Sequence, residues 1–253
     1  MKLLTREEIL QPGNMIMIYG ETGVGKTTSI LQSAPAPILY LQTEPRSLKP
    51  SIDAAERPDL DVDVAVYQNF MGLMEFISDL KNTAKYSSVI LDSLSHLSNV
   101  SLSSEIEDES FDAKSKDEKK KKPLINRTKL SMEGFGGLAS NLFRLTSMLG
   151  KISQTGKVVI ITCLLSENPK WDREIVAGPA LKGREYPSSM PGFFDMIGLV
   201  ESRFQEGKLV YPPLIQFASP DQTFMAKHTG AGKKTSGPLD ISKILSLTST
   251  TNN

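Results

Sequence analysis

Apolar positions along the chain fall into short unbroken runs, set apart by stretches in which they recur at helical spacing. The runs are Met15 to Tyr19, Ile38 to Gln42, Val62 to Tyr67, Ser88 to Ser93 and Lys157 to Cys163. Their length suits strands of a parallel sheet, buried on both faces. Between them, Thr27 to Ser33 can open a helix, and Phe70, Leu73, Met74, Ile77 and Leu80 share one helical face. Phe135, Leu138, Leu142, Leu145, Leu149 and Ile152 line a longer helix of about five turns, which Gly156 ends. Strands alternating with amphipathic helices predict an α/β fold with a mostly parallel, twisted sheet flanked by helices. The C-terminal part reads as β-rich: Phe194 to Arg203, Leu209 to Tyr211, Leu214 to Ala218 and Thr223 to Lys227. A last short helix is expected from Leu239 to Leu247, followed by a frayed serine/threonine tail.

Two stretches break this pattern. Residues 101–130 include a segment, Glu105 to Lys122, with seven acids and six lysines and hardly any apolar side chain. Such a segment cannot pack into a core, so a mobile charged loop is expected there. Residues 165–192 are rich in Gly and Pro and read as a second long loop. Residues 1–13 are too few for a domain of their own and end in a Pro12-Gly13 turn, so residues 1–253 read as a single domain.

Composition narrows the function classes. The 253 residues are 39% hydrophobic and 23% charged with a formal net charge of zero, so any nucleic-acid surface must be a local patch. Cys163 is the one cysteine, which rules out an internal disulfide and fits a reducing compartment. His96 and His228 lack neighbours at metal-ligand spacing, so no zinc site is expected. The longest apolar run, Val158 to Leu165, is too short to span a bilayer, and the N-terminus has no signal-peptide pattern. A cytoplasmic location and no membrane partner are the expectation.

The sharpest chemical signal lies behind the first strand. Gly20-Glu21-Thr22-Gly23-Val24-Gly25-Lys26-Thr27, followed by Thr28, fits the phosphate-loop pattern G-x-x-x-x-G-K-[ST]. A strand, a glycine-rich turn and a helix N-terminus gather backbone N–H groups around one anion. The pattern predicts that Lys26 reaches the β- and γ-phosphates of ATP and that the Thr27 hydroxyl holds Mg²⁺. A second acid near the metal is expected at the end of a neighbouring strand, and Asp92, after Val89-Ile90-Leu91, meets that need. Hydrolysis also needs a base to orient water. In many ring-forming AAA+ ATPases a glutamate directly follows the strand-end aspartate, but Ser93 stands there in this chain. Glu44, at the end of the second strand, is the best substitute.

With Leu39-Tyr40-Leu41-Gln42-Thr43-Glu44 and Leu91-Asp92-Ser93-Leu94, the chain resembles the RecA core ATPases. Leu130-Ser131-Met132-Glu133-Gly134-Phe135-Gly136, Gly192-Phe193-Phe194-Asp195 and Ala226-Lys227-His228 narrow the likeness. Together they look like the phage nucleotide-binding proteins described as RecA-like single-strand annealing proteins of the Sak group. The resemblance covers roughly residues 14–245. It implies a RecA-like P-loop core that binds ATP and Mg²⁺, hydrolyses ATP slowly, and forms a ring or filament of identical subunits. It also implies single-stranded DNA as a partner, with a single-strand-binding protein as a further one, in the host cytoplasm if the chain is phage-encoded. DNA would then lie along the segments after the fourth and fifth strands. The first carries Lys119, Lys120, Lys121, Lys122, Arg127 and Lys129; the second carries Lys170, Trp171, Arg173, Lys182 and Arg184. Lysines and arginines would track phosphates, and Trp171 would stack on a base. RecA-type sites take a cation from the neighbouring subunit; the family pattern favours Lys227 for this, with Arg203 as the alternative. One departure is plain. RecA closes its fifth strand with an Asn-Gln pair that couples the γ-phosphate to DNA, whereas Thr162-Cys163-Leu164-Leu165-Ser166-Glu167 holds no glutamine. Thr162 or Ser166 would have to make the phosphate contact.

Overall fold

The computed structural model describes residues 13–107, 130–167, 176–229 and 235–248. Five parallel strands form the expected α/β core. They are β1 (Asn14–Gly20), β2 (Ile38–Gln42), β3 (Val62–Val66), β4 (Ser88–Asp92) and β5 (Val158–Glu167). They lie side by side in the order β3-β2-β4-β5-β1. A short strand, β6 (Ala177–Pro179), pairs antiparallel with the end of β5. Beyond β1 the sheet continues with β7 (Met196–Gln205), parallel to it. Next come β8 (Lys208–Gln216) and, after the two-residue β9 (Lys227–His228) beside β7, β10 (Ser236–Pro238). β8 and β10 run antiparallel, which is the β-rich C-terminal part.

Alternate residues of each central strand feed opposite faces. Met15, Met17, Leu39, Leu41, Val89 and Leu91 enter one apolar cluster, whereas Ile16, Ile18, Ile38, Tyr40 and Ile90 enter the other. The first face is covered by α3 (Phe70–Ser78) and α4 (Met132–Ser153), the second by α1 (Lys26–Ser33), α2 (Lys49–Ala55) and α5 (Ile241–Thr248). α4 starts where Ser131 caps it, its hydroxyl accepting from Gly134 N at 3.0 Å, with Glu133 in the first turn against the helix dipole. Leu142, Leu145, Leu149 and Ile152 on α4 are fully buried, each contributing about 1.5–3 kcal/mol of apolar burial. None of the helices in the described residues is long and apolar enough to cross a membrane.

Several expected elements differ. Leu209 to Tyr211 and Leu214 to Gln216 are parts of one strand, β8, that runs through Pro212 and Pro213, while Phe217 and Ala218 lie beyond its end. The ladder to β7 is irregular between Glu201 and Arg203, so both prolines sit where few strand hydrogen bonds are lost. Residues 224–226, expected in a strand, contribute only an isolated bridge at Phe224. The described part of residues 165–192 is not irregular: it holds the end of β5, β6 and helical turns at Glu185–Ser189 and Met190–Phe193. The start of the charged stretch is also docked. Residues 101–107 are helical, Leu102 is buried, and the Glu105 carboxylate accepts from Tyr67 Oη at 2.5 Å and Phe70 N at 2.9 Å. The rest of that stretch, residues 108–129, lies outside the described residues.

Candidate active site

β1 delivers the chain at Gly20 and α1 takes it up at Lys26, so the phosphate loop spans the carboxyl edge of the central strand. Gly25 caps α1 with φ at 94°, a backbone that side chains rarely adopt. The Tyr211 ring of β8 lies directly on it, only 2.6 Å from where a Cβ would stand. Lys26 is buried; its Nζ donates to Gly20 O at 2.8 Å and Glu21 O at 2.7 Å. Burial lowers its pKa to about 8, against an attraction from Asp92 that favours the charge.

Opposite Lys26, side chains from α1, β2 and β5 converge on Asp92 at the end of β4. The carboxylate is 4% exposed. Its Oδ2 accepts from Thr27 Oγ1 at 2.8 Å and from the Tyr40 hydroxyl of β2, and its Oδ1 accepts from Thr162 Oγ1 of β5. Burial and the Asp92 charge together push the Tyr40 phenol well above its usual range. Thr162 is therefore engaged with the acid, and Ser166 lies in the β5–β6 pair.

Glu44 stands beside this group. Its Oε1 accepts from Ser93 Oγ at 2.7 Å and its Oε2 pairs with Arg46 Nε at 2.9 Å. Ser93, the residue in place of a second acid, thus orients Glu44. Thr43 braces the two strand ends: its hydroxyl donates to Ser93 O and accepts from Ser93 N, each at 2.8 Å, around a cis Asp92–Ser93 peptide. Arg46, which carries no motif signal, reaches across with Nη2 at 3.0 Å from Asp92 Oδ2 and 3.1 Å from Thr27 Oγ1. Burial opposes its charge, but the Asp92 and Glu44 carboxylates outweigh that and raise its pKa. Lys26, Thr27, Glu44, Arg46, Asp92 and Tyr211 line one cleft of about 400 Å³, within the usual range for small-molecule sites.

The hydroxyl of Thr27 and the two carboxylates form a hard oxygen set already gathered around a cation, the Arg46 guanidinium. That chemistry suits Mg²⁺, which keeps most of its shell from water and phosphate. No group of three or more His, Cys, Asp or Glu able to hold a metal occurs among the described residues, so the site is no all-protein cage.

The family model AAA_24, described as AAA domain, matches residues 12–229. The chain belongs to this AAA-domain family. It is accordingly a P-loop ATPase domain, whose cofactors are a nucleotide and usually Mg²⁺. No curated protein matches it. Among solved structures it is similar to a KaiC-like protein of Pyrococcus horikoshii OT3, at 11% identity and a TM-score of 0.43, over 81% of this chain and 77% of that one. It is also similar to the flagellar accessory protein FlaH of Methanocaldococcus jannaschii, at 14% identity and a TM-score of 0.42, over 88% and 83%.

Among the other candidate residues of the AAA domain, Lys227, Arg203, Lys182 and Arg184 do not line this cleft. Lys227 pairs with Ile197 at the start of β7, and its Nζ donates to Pro191 O at 2.8 Å. Arg203 points back into its own hairpin, with Nη1 at 3.4 Å from Pro212 O. The segments after β4 and β5 do meet: Asn99 Nδ2 donates to Ala180 O at 3.0 Å and Lys182 N to Ser98 Oγ at 3.1 Å. Lys182 Nζ faces Glu107 at 3.9 Å, and Arg184 is exposed ahead of the Glu185–Ser189 turn. Lys119, Lys120, Lys121, Lys122, Arg127, Lys129, Lys170, Trp171 and Arg173 lie outside the described residues. Arg46, Tyr40 and Tyr211 were invisible in the sequence, because no spacing ties them to the loop.

Proposed function

We propose that this AAA domain binds ATP and Mg²⁺, hydrolyses the ATP slowly, self-assembles, and binds single-stranded DNA to promote annealing or strand exchange in recombination. The observation that carries the ATPase part is the convergence of Lys26, Thr27, Asp92 and Glu44 on one cleft from three separate stretches of chain. In this reading Lys26 and the backbone N–H groups of residues 22–27 hold the phosphates, while Thr27 and Asp92 hold the metal. The metal, when bound, offsets phosphate charge. Glu44, fixed by Ser93, takes the proton of a water in line with the terminal phosphate, a role worth about 10²- to 10⁴-fold in rate. Lys227, turned away from its own loop, serves the nucleotide of a neighbouring copy.

The DNA part is supported by the contacts of Asn99 with Ala180 and of Ser98 with Lys182, which join the chain after β4 to the chain after β5, with Asn99 lining the cleft. A second reading, a nucleotide-switched assembly module without DNA, is favoured by the zero net charge and by Lys182 facing Glu107. ATP turnover and particle size, measured at low salt with and without single-stranded DNA for wild type and Lys26→Ala, separate the two. Stimulation by DNA in wild type alone supports recombination. ATPase activity without DNA binding leaves the switch.

A further inference from the structure

Among the described residues, Arg46 is the one cation whose side chain touches Thr27, Asp92 and Glu44 together. Those oxygens are the ones the proposed ATP site assigns to the metal and to the attacking water. The Thr27 hydroxyl donates to Asp92 and accepts from Arg46, so its hydrogen and a lone pair are both in use. The turn that carries Arg46 is itself held: Gln42 Nε2 donates to both Glu44 O and Arg46 O, and Arg46 N donates to Glu44 O at 2.8 Å. The Arg46 side chain is nevertheless 49% exposed, so it can leave without opening the core. Two carboxylates, Asp92 and Glu44, face two cations, Lys26 and Arg46, and the cluster is charge-balanced as it stands.

We propose that Arg46 is an internal counter-ion that competes with the divalent cation for Thr27 and Asp92 and lets nucleotide bind before the metal. Metal entry displaces its Nη2 from Thr27 Oγ1 and Asp92 Oδ2. Its Nε remains paired with Glu44, which keeps the freed fork beside the terminal phosphate, a geometry suited to arginine. The order of events follows: nucleotide enters against Lys26 and Arg46, and the metal then replaces Arg46 at the acid. This inference rests on the nucleotide reading of the cleft.

Two equilibrium measurements on the full chain test it, neither of which reads turnover. In the first, Mn²⁺ alone is titrated and followed by electron paramagnetic resonance. Removing the competitor in Arg46→Ala should tighten Mn²⁺ binding about tenfold or more, since an uncompensated buried carboxylate seeks a cation. In the second, a fluorescent ATP analogue is titrated in excess chelator. Arg46→Ala should weaken this metal-free binding about tenfold, the size of one lost charge-assisted contact, and Arg46→Lys should recover part of it. Arg46→Gln keeps a planar donor without the charge and serves if the alanine variant does not fold; its Mn²⁺ affinity should also rise. Unchanged or weaker Mn²⁺ binding in the folded variants, or unchanged metal-free nucleotide binding, overturns the role of Arg46. A wild type that binds no nucleotide with or without Mg²⁺ overturns the nucleotide reading and this inference with it.

Discussion

At the carboxyl ends of β1, β2 and β4, the side chains of Thr27, Glu44, Arg46, Asp92 and Ser93 bond to one another: Thr27 to Asp92, Arg46 to Asp92 and Glu44, Ser93 to Glu44. At the start of β7 the same residue types bond to backbone. Asp195 Oδ2 accepts from Met15 N at 2.8 Å, Asp195 N returns a bond to Met15 O at 2.9 Å, Thr229 donates to Asp195 O, and Lys227 donates to Pro191 O. The difference is one of exchangeability. A bond between two side chains can be traded for a ligand with no backbone group left unpaired. A bond to a strand amide cannot be given up without unpairing the sheet, which costs free energy whatever arrives. The first cluster is built to be rearranged, and the second to hold β1 against β7.

The largest effect belongs to the exchangeable end. Lys26→Ala should lower ATP turnover about 10²- to 10³-fold, read as phosphate release, with the melting temperature nearly kept. A large fall in melting temperature would place Lys26, bonded as it is to Gly20 O and Glu21 O, with the structural residues instead. Lys227 is where the comparison can break. Lys227→Ala should lose most of its turnover, and mixing it with Lys26→Ala should restore part of it through mixed interfaces. No recovery at any ratio would return Lys227 to the clamp at β7.

The clamp itself should behave oppositely. Asp195→Ala leaves Met15 N without its acceptor and should cost about 1–3 kcal/mol in denaturant unfolding, with turnover per folded molecule unchanged. Smallest is the effect at Cys163, where burial pushes the thiol up to about 12. A raised thiol pKa disfavours the thiolate, so alkylation at about pH 9 should be slow in the folded protein and fast in denaturant. Rapid alkylation of the native chain would show that the floor of the cleft opens to solvent.

The sequence disclosed the parts that obey a fixed spacing. The loop from Gly20 to Thr27, the strand ahead of it and the helix behind it follow from a local pattern, and the structure joins them as expected. Asp92 and Glu44 were legible because each closes an apolar run whose carboxyl end must face the loop in a parallel sheet. Arg46 was not, because its position depends on a turn fixed by Gln42 and on Asp92, which is distant in sequence. α2 was hidden as well. Lys49-Pro50-Ser51-Ile52-Asp53-Ala54-Ala55 has too little apolar periodicity to signal a helix, yet Ile52 and Ala55 pack with Leu48 against the α1 side of the sheet. Pro212-Pro213 misled in the other direction, splitting into two a strand whose irregular pairing tolerates them.

In the proposed site Glu44, which follows β2 whereas Asp92 closes β4, is the base. Glu44→Gln tests it most directly, by ATP turnover and equilibrium nucleotide binding measured on the same sample. The account predicts a loss of about 10²-fold or more in turnover with ATP affinity within about twofold of wild type. Turnover at the wild-type rate in the glutamine variant would contradict it.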